Sequence, residues 1–473
     1  QEKLLPARKI QGGAMHNGLS YGPNYMMFPL LQFFAAARSA GNADYFHTAD
    51  PADSQWLRDT SRFLIYSVRP DGRHVLYADG STTTPAKHFR FMLDVFAAEY
   101  GDGHAAGLAE RISRRFRTSG YHAEWIYMLL TLSGTKTAPR TPDDLPKAAC
   151  FSPKGLGHVF MRGGWSEESA MVHFRCGDYF GDHGHFNQGA FTFFRRIPLA
   201  IEAGGYWGFD SPHRHHYYKQ AISTNSVIFS DPRDPKDEGR QRNVRYQSAA
   251  TVADYLAHLR PDAEPCLETG ALLAFDDPRG AKCRGAEFHW AAGDVTAAWD
   301  RATVKRHVRH VALVAGKHLV VVDETETASA HVRARWLLHT RSEPRAVERQ
   351  AGAWAVREGK SSLLVRVLSP DGAKVTMIGG PGRECEVNGV NYTYTNTAKY
   401  LKRRKGKKGP DPLYGLWRME VESPKEAARR LFVVVLTAGD EAEAPPPGSA
   451  KITPAGLEVT VDGARLLLTR VRG

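Results

Sequence analysis

Gly181-Asp182-His183-Gly184-His185-Phe186-Asn187-Gln188-Gly189-Ala190-Phe191 is the stretch on which the reading of this chain turns. Two histidines two residues apart in an extended segment project to the same face. The glycines around them let the backbone bend or approach a neighbour closely. Outward from this stretch, Phe191-Thr192-Phe193-Phe194 reads as a strand, Arg195-Arg196 as a polar turn, and Ile197-Pro198-Leu199-Ala200-Ile201 as the return strand leading into Glu202-Ala203-Gly204-Gly205-Tyr206. A paired-histidine strand, a hairpin and a carboxylate on the return form a compact site suited to a metal or a catalytic base. The plain alternative is two surface histidines on an edge strand.

On the N-terminal side the period is helical. Tyr25 to Phe34, Trp56 to Tyr66, His88 to Tyr100, Ala105 to Phe116 and Tyr121 to Leu132 carry apolar residues at helical spacing, with Pro and Gly between them. Residues 134–149 are a Pro-rich linker. Beyond it the period becomes two: Val159 to Arg162, Ala170 to Phe174, His318 to Asp323, Arg335 to His339, Ser362 to Val367, Leu431 to Leu436 and Ala464 to Thr469 read as strands. The expected class is a multidomain α+β protein. Residues 1–133 form a helical domain, 150–400 a large antiparallel β-sandwich, and 401–473 a smaller C-terminal β region.

The chain has 473 residues, enough for two or three domains, and a formal net charge of +12. Such a surface favours an anionic partner. The run Lys402-Arg403-Arg404-Lys405-Gly406-Lys407-Lys408 is either a nucleic-acid-type patch, a device that gathers anionic polymers, or a solvated loop. No helix-turn-helix or single-strand-reader motif accompanies it, so nucleic acid is not expected as a partner. No apolar run reaches the roughly 18 residues that cross a bilayer, so membrane insertion is not expected. The five cysteines lack any C-x-x-C spacing, against a zinc ribbon or a dense disulfide framework.

Three passages together resemble the heparinase II/III-like polysaccharide lyases, which pair an α/α-toroid with a mostly antiparallel β-sandwich. His16-Asn17-Gly18-Leu19-Ser20-Tyr21-Gly22 is similar to the toroid segment that supplies the catalytic tyrosine. Met161-Arg162-Gly163-Gly164-Trp165, the histidine stretch and Ala200 to Tyr206 are similar to the β-domain signature. Tyr217-Tyr218 followed by Thr224-Asn225-Ser226 is similar to the segment that closes it. The distance from Tyr21 to His183 is similar to that of the exo-acting alginate and heparin lyase branch. Nothing in residues 1–15 supplies the His or Asn that such enzymes carry ahead of the tyrosine. The first half of the toroid is therefore expected to be missing from this chain, so that residues 1–133 are its C-terminal part. The resemblance implies a periplasmic or secreted location.

The resemblance implies β-elimination on an acidic polysaccharide, of alginate or glycosaminoglycan type. That reaction neutralises the C5 carboxylate, removes the C5 proton and protonates the leaving O4. Tyr21 is assigned as general acid, or acid and base both, against packing on a helix face. His183 is the base or neutraliser, against a strand histidine bonded to backbone. Asn17 is a carboxylate binder or a helix cap. Tyr218 assists proton transfer or packs in the core. His16, Tyr25, His88 and Arg162 are candidate substrate binders, with Arg90 and Arg309 as further anion-binding candidates. His185 and Glu202 are the candidate ligands of one divalent metal, zinc by ligand type, in a structural role. Thr224 stands where metal-bearing members have a His, so one of His213, His215 and His216, or water, would complete the shell; otherwise His185 and Glu202 form a hydrogen-bonded pair. A non-catalytic binder of anionic glycans on the same fold is the alternative function.

Overall fold

The computed structural model describes residues 12–80, 86–116, 137–179, 183–206, 211–241, 268–393, 416–440 and 445–469. Most of it is antiparallel β-sheet, with the α-helices among the described residues confined to the N-terminal part. The helices are α1 (Gly18–Tyr21), α2 (Phe28–Ser39), α3 (Pro51–Ser67), α4 (Arg90–Tyr100) and α5 (Gly103–Phe116), with a π-helical turn joining α1 to α2. Asp50 caps α3 by accepting from the amide of Ala52, and Pro51 takes the first helical position, where its missing N–H costs nothing. Gly101, in the left-handed region, ends α4. The expected helix over Tyr121 to Leu132, the loop 402–408, and Gly181 and Asp182 lie outside the described residues.

The five-stranded sheet of β1 (Ala148–Phe151), β2 (His158–Arg162), β3 (Met171–Arg175), β4 (Phe191–Arg195) and β5 (Ile197–Ala200) divides the molecule. Phe160, Met171 and Phe194 on one face pack with the helices. Val159, Met161, Val172 and Phe193, pointing the other way, join the large β core. Arg196, with φ of 59°, makes the tight turn between β4 and β5 expected from the sequence.

Behind it lies an eight-stranded sheet whose central strands are buried on both faces. Val311, Leu313, Leu319 and Val321 enter the large core, while Ala312, Val314, Val320 and Val322 form a second core with the C-terminal strands. The boundary expected at residue 400 finds no seam. Arg429–Asp440 lies between Ser361–Ser369 and His318–Thr327 in the eight-stranded sheet, and Trp417–Glu422 lies between Lys374–Gly379 and Arg333–Thr340 in a four-stranded one. Gly448–Thr453, Gly456–Val461 and Ala464–Leu468 build a small separate sheet, and even that takes its fourth strand from Ala281–Arg284.

The described part of the Pro-rich segment is a strap and not a free tether. Thr137 Oγ1 donates to the carbonyl of Ala97, the Arg140 amide to Gly103, and the Tyr66 hydroxyl to Pro146. Within it Pro142–Asp144 forms a 3-10 turn, and the Trp165 indole donates to the carbonyl of Leu145.

Candidate active site

The site forms where the helical part meets the histidine stretch. Residues 78–80, in the loop between α3 and α4, run beside residues 183–185: Ala78 pairs with Gly184 in an isolated bridge, and the Asp79 amide donates to the carbonyl of His183 at 2.9 Å. α1 lies against the same loop because two glycines allow it. A Cβ on Gly80 would sit 2.3 Å from Ser20 Oγ, and Gly18, with φ of 75°, has Ala78 Cβ at 2.6 Å from the position a Cβ would take. The Tyr77 hydroxyl donates to the carbonyl of Met15 and His88 Nε2 lies 2.7 Å from the carbonyl of Leu19, fixing the ends of this contact.

Tyr21 and His183, 162 positions apart in sequence, are brought into contact. Their rings stack with centroids 3.9 Å apart and planes 16° from parallel. Tyr25, 75% exposed, stacks with Tyr21 at 5.5 Å, and Tyr206 meets Tyr21 edge-on at 5.9 Å. Burial, followed by a hydrogen bond with Tyr206, pushes the Tyr21 phenol well above its ordinary value. It therefore holds its proton at neutral pH.

His183 and His185 do project to one side, and the group that receives both is Asp79. His183 Nδ1 is 3.0 Å from Asp79 Oδ2 and His185 Nε2 is 3.1 Å from Oδ1. Arg214, buried, donates to the same carboxylate through Nε at 3.2 Å and Nη2 at 3.0 Å. Burial alone would raise the Asp79 carboxyl; the hydrogen bonds from His183 and His185 and the Arg214 charge outweigh it and hold the carboxyl well below the usual range. Neither Asp79 nor Arg214 stands out in the sequence. Asp79 lies in a turn-like segment just before Gly80, and Arg214 among the histidines of 213–216.

Several expected site residues have other work. Arg162 is buried and its Nη2 donates to the carbonyls of Tyr66 and Val68 at the end of α3, so it caps a helix instead of binding substrate. Arg309 is paired with Asp323 in the β core and also donates to the carbonyls of Gly189 and Asn225. Arg90 pairs with Asp94. The Tyr218 ring is buried edge-on to His185, and its hydroxyl donates to the carbonyl of Gly80 at 3.0 Å while accepting from the Gly80 amide at 3.1 Å. It shapes the loop under the site and has no exposed surface for substrate. His88 likewise holds α1. His16 and Asn17 are half-buried at the start of α1, and the Asn17 side chain makes no cap bond. Asn225 ties three segments: its Nδ2 donates to the carbonyls of Phe191 and Ile201, and its Oδ1 accepts from the His339 amide.

The donor set for the expected zinc is incomplete. Glu202 Oε2 lies 3.7 Å from His185 Nδ1, and neither atom has a hydrogen-bond partner. Asp79 sits at the opposite ring nitrogen, so it does not converge with them. Thr224 turns its hydroxyl to the carbonyl of Ala221, and His213 is bonded to the Tyr392 carbonyl and the Gly205 amide. Among the described residues no group of three His, Cys, Asp or Glu side chains is placed to hold a metal ion. Glu202 is instead held through Oε1 by Asn187 Nδ2 at 2.8 Å, and Asn187 is bonded in turn to Arg175.

Residues 156–377 match the model of the heparinase II/III-like C-terminal family. Just under half of the chain is therefore similar to the C-terminal domain of heparinase II/III-like proteins. A solved heparinase III aligns with a TM-score of 0.62 at 13% identity, over 99% of this chain and 61% of its own. A second heparinase III gives 0.61 at 13%, over 99% and 62%. The heparan sulfate lyase HepC from Pedobacter heparinus gives 0.59 at 14%, over 98% and 60%. At such identities the likeness is one of fold, and it includes the helices as well as the sheets. The chain spans about three fifths of the length of these solved chains. No curated protein matches it in sequence.

Proposed function

We propose that this chain is the catalytic C-terminal portion of a polysaccharide lyase that cleaves a uronic-acid polymer by β-elimination. The observation that carries this reading is the contact of Tyr21 with His183, a proton-bearing phenol against an imidazole, contributed by two different layers of the fold. Packing alone does not call for an acid and a base at one partly exposed spot.

In this reading His183 takes the C5 proton, the electron pair forms the C4–C5 double bond as the C4–O4 bond breaks, and Tyr21 gives its proton to O4. Asn17 and His16 flank the substrate carboxylate, whose negative charge would otherwise oppose proton removal. Tyr25 offers an exposed aromatic face for a sugar ring. The helices belong to the second half of an α/α-toroid, the sheets to the β-sandwich, and the protein works in the periplasm or outside the cell. No helix among the described residues is long and apolar enough to cross a membrane.

The test is ultraviolet absorbance of the C4–C5 unsaturated uronide, with the purified chain run on heparan sulfate, heparin, hyaluronan, chondroitin sulfate and alginate. Heparan sulfate comes first because one structural neighbour is a heparan sulfate lyase. Double-bond formation on a uronate polymer supports the reading. Binding without it would leave the non-catalytic alternative.

A further inference from the structure

We propose that Asp79 is a positioning residue: its buried carboxylate fixes His183 with the ring proton on Nδ1 and the lone pair on Nε2, and Arg214 holds that carboxylate in place. This rests on the reading of His183 as the base, and goes beyond it by naming what sets the base's protonation pattern.

Three observations converge. An ionised carboxylate only accepts hydrogen bonds. His183 Nδ1, 3.0 Å from Asp79 Oδ2, is therefore the N–H end of the imidazole, and Nε2 is the end that can take a proton. The backbone enforces the pairing, because the Asp79 amide donates to the carbonyl of His183 and Ala78 bridges to Gly184. Asp79 and His183 therefore remain in register although 104 residues separate them. Finally, Arg214 and His185 supply further donors to the same two oxygens, so the carboxylate cannot rotate away without stranding a buried guanidinium.

The step balances with Asp79 unchanged. The C5 proton moves to His183 Nε2 and the electrons of the C5–H bond become the C4–C5 double bond. The C4–O4 bond breaks, and O4 receives the Tyr21 proton. The imidazolium so formed keeps its Nδ1–H on Asp79, whose negative charge faces the new positive one. His183 then releases its added proton to solvent and Tyr21 regains one.

The experiment uses the full chain with nitrogen-15 in its histidines, the His183 signals being assigned by their loss in His183→Gln. Ring shifts of the wild type should show Nδ1 protonated and Nε2 unprotonated. Asp79→Asn should move His183 towards the opposite tautomer and lower kcat by about 10²- to 10⁴-fold with little change in KM. On the His183→Gln background the same substitution should cost nothing further in kcat. If Asp79→Asn alone does not fold, Asp79→Asn with Arg214→Gln, which strands no charge, takes its place in every arm. The proposal is overturned if wild-type His183 carries its proton on Nε2, if its ring shifts do not move in the Asp79 variant, or if the loss of kcat is the same with and without His183. A wild type that turns over none of the polymers defeats the lyase reading, and the ring shifts still decide this one.

Discussion

The imidazole of His183 lies flat on the ring of Tyr21, at 3.9 Å between centroids. That is van der Waals contact, so no sugar fits between them. A uronate bound as proposed would therefore be approached by both from one side. In the proposed reaction a base and an acid on one side would remove H5 and O4 from the same face of the ring. D-glucuronate and D-mannuronate hold H5 and O4 cis, whereas their C5 epimers, L-iduronate and L-guluronate, hold them trans. The expected outcome is a higher kcat/KM on polymers of the D residues, measured on epimer pairs matched for chain length.

Tyr21→Phe removes one hydroxyl and keeps the ring that stacks on His183. Elimination should fall by about 10²- to 10⁴-fold, the worth of general acid catalysis, with the loss in kcat. Glycan affinity, read by calorimetry, should be nearly unchanged. Turnover near that of the wild type would remove Tyr21 as the proton donor.

Arg162→Met tests a role in stability. It leaves the carbonyls of Tyr66 and Val68 without their donor, at about 1–3 kcal/mol each, partly offset because a charge is no longer buried. Denaturant unfolding should show the loss, while kcat and KM per folded molecule stay as in the wild type. A rise in KM at unchanged stability would return Arg162 to the substrate site.

Burial holds three histidines well below their ordinary value of 6.5: His74 and His173 at about 3, and His213 at about 4. In the fold they are neutral, while in the unfolded chain they take up protons below pH 6.5. Their stabilising contribution is thus complete above pH 6.5 and is lost as pH falls towards about 4. Each contributes a slope of about 1.4 kcal/mol per pH unit in that window. Urea unfolding at pH 7, 6 and 5 should show this fall. His213→Asn, at the histidine bonded to Tyr392 and Gly205, should flatten it.

Among the described residues only His185 and Glu202 offer donors at one point, and on that donor set elemental analysis of the purified chain should find no stoichiometric zinc. A chelator should leave the unfolding midpoint where it was. One equivalent of zinc, removable with a drop in midpoint, would mean that a third donor joins them.

The part of the site that follows local periodicity could be read from the sequence. The two-residue spacing put His183 and His185 on one side, and the Phe191 to Ile201 hairpin falls where its alternation and polar turn placed it. Asp79 could not be found that way, because nothing local separates an acidic residue in a turn from one that reaches a histidine stretch 104 residues away. The place of Arg162 is hidden for a related reason. An arginine beside a motif offers charge to substrate or to helix-end carbonyls equally, and only the position of α3 decides between them. The strand at Leu431 to Leu436 was legible as a strand, but its place between two earlier strands is a matter of pairing at long range, on which alternation is silent.

That late strand has a consequence for how the protein is made. Arg429–Asp440 is the central plank between His318–Thr327 and Ser361–Ser369, yet it leaves the ribosome after both. Until it arrives, two long hydrophobic edges, around Val320 to Val322 and Leu363 to Val365, stand open to pair with other chains. Nascent chains that stop short of residue 440 should therefore form aggregates in preference to a smaller folded unit, and slow synthesis across 370–430 would lengthen the exposure.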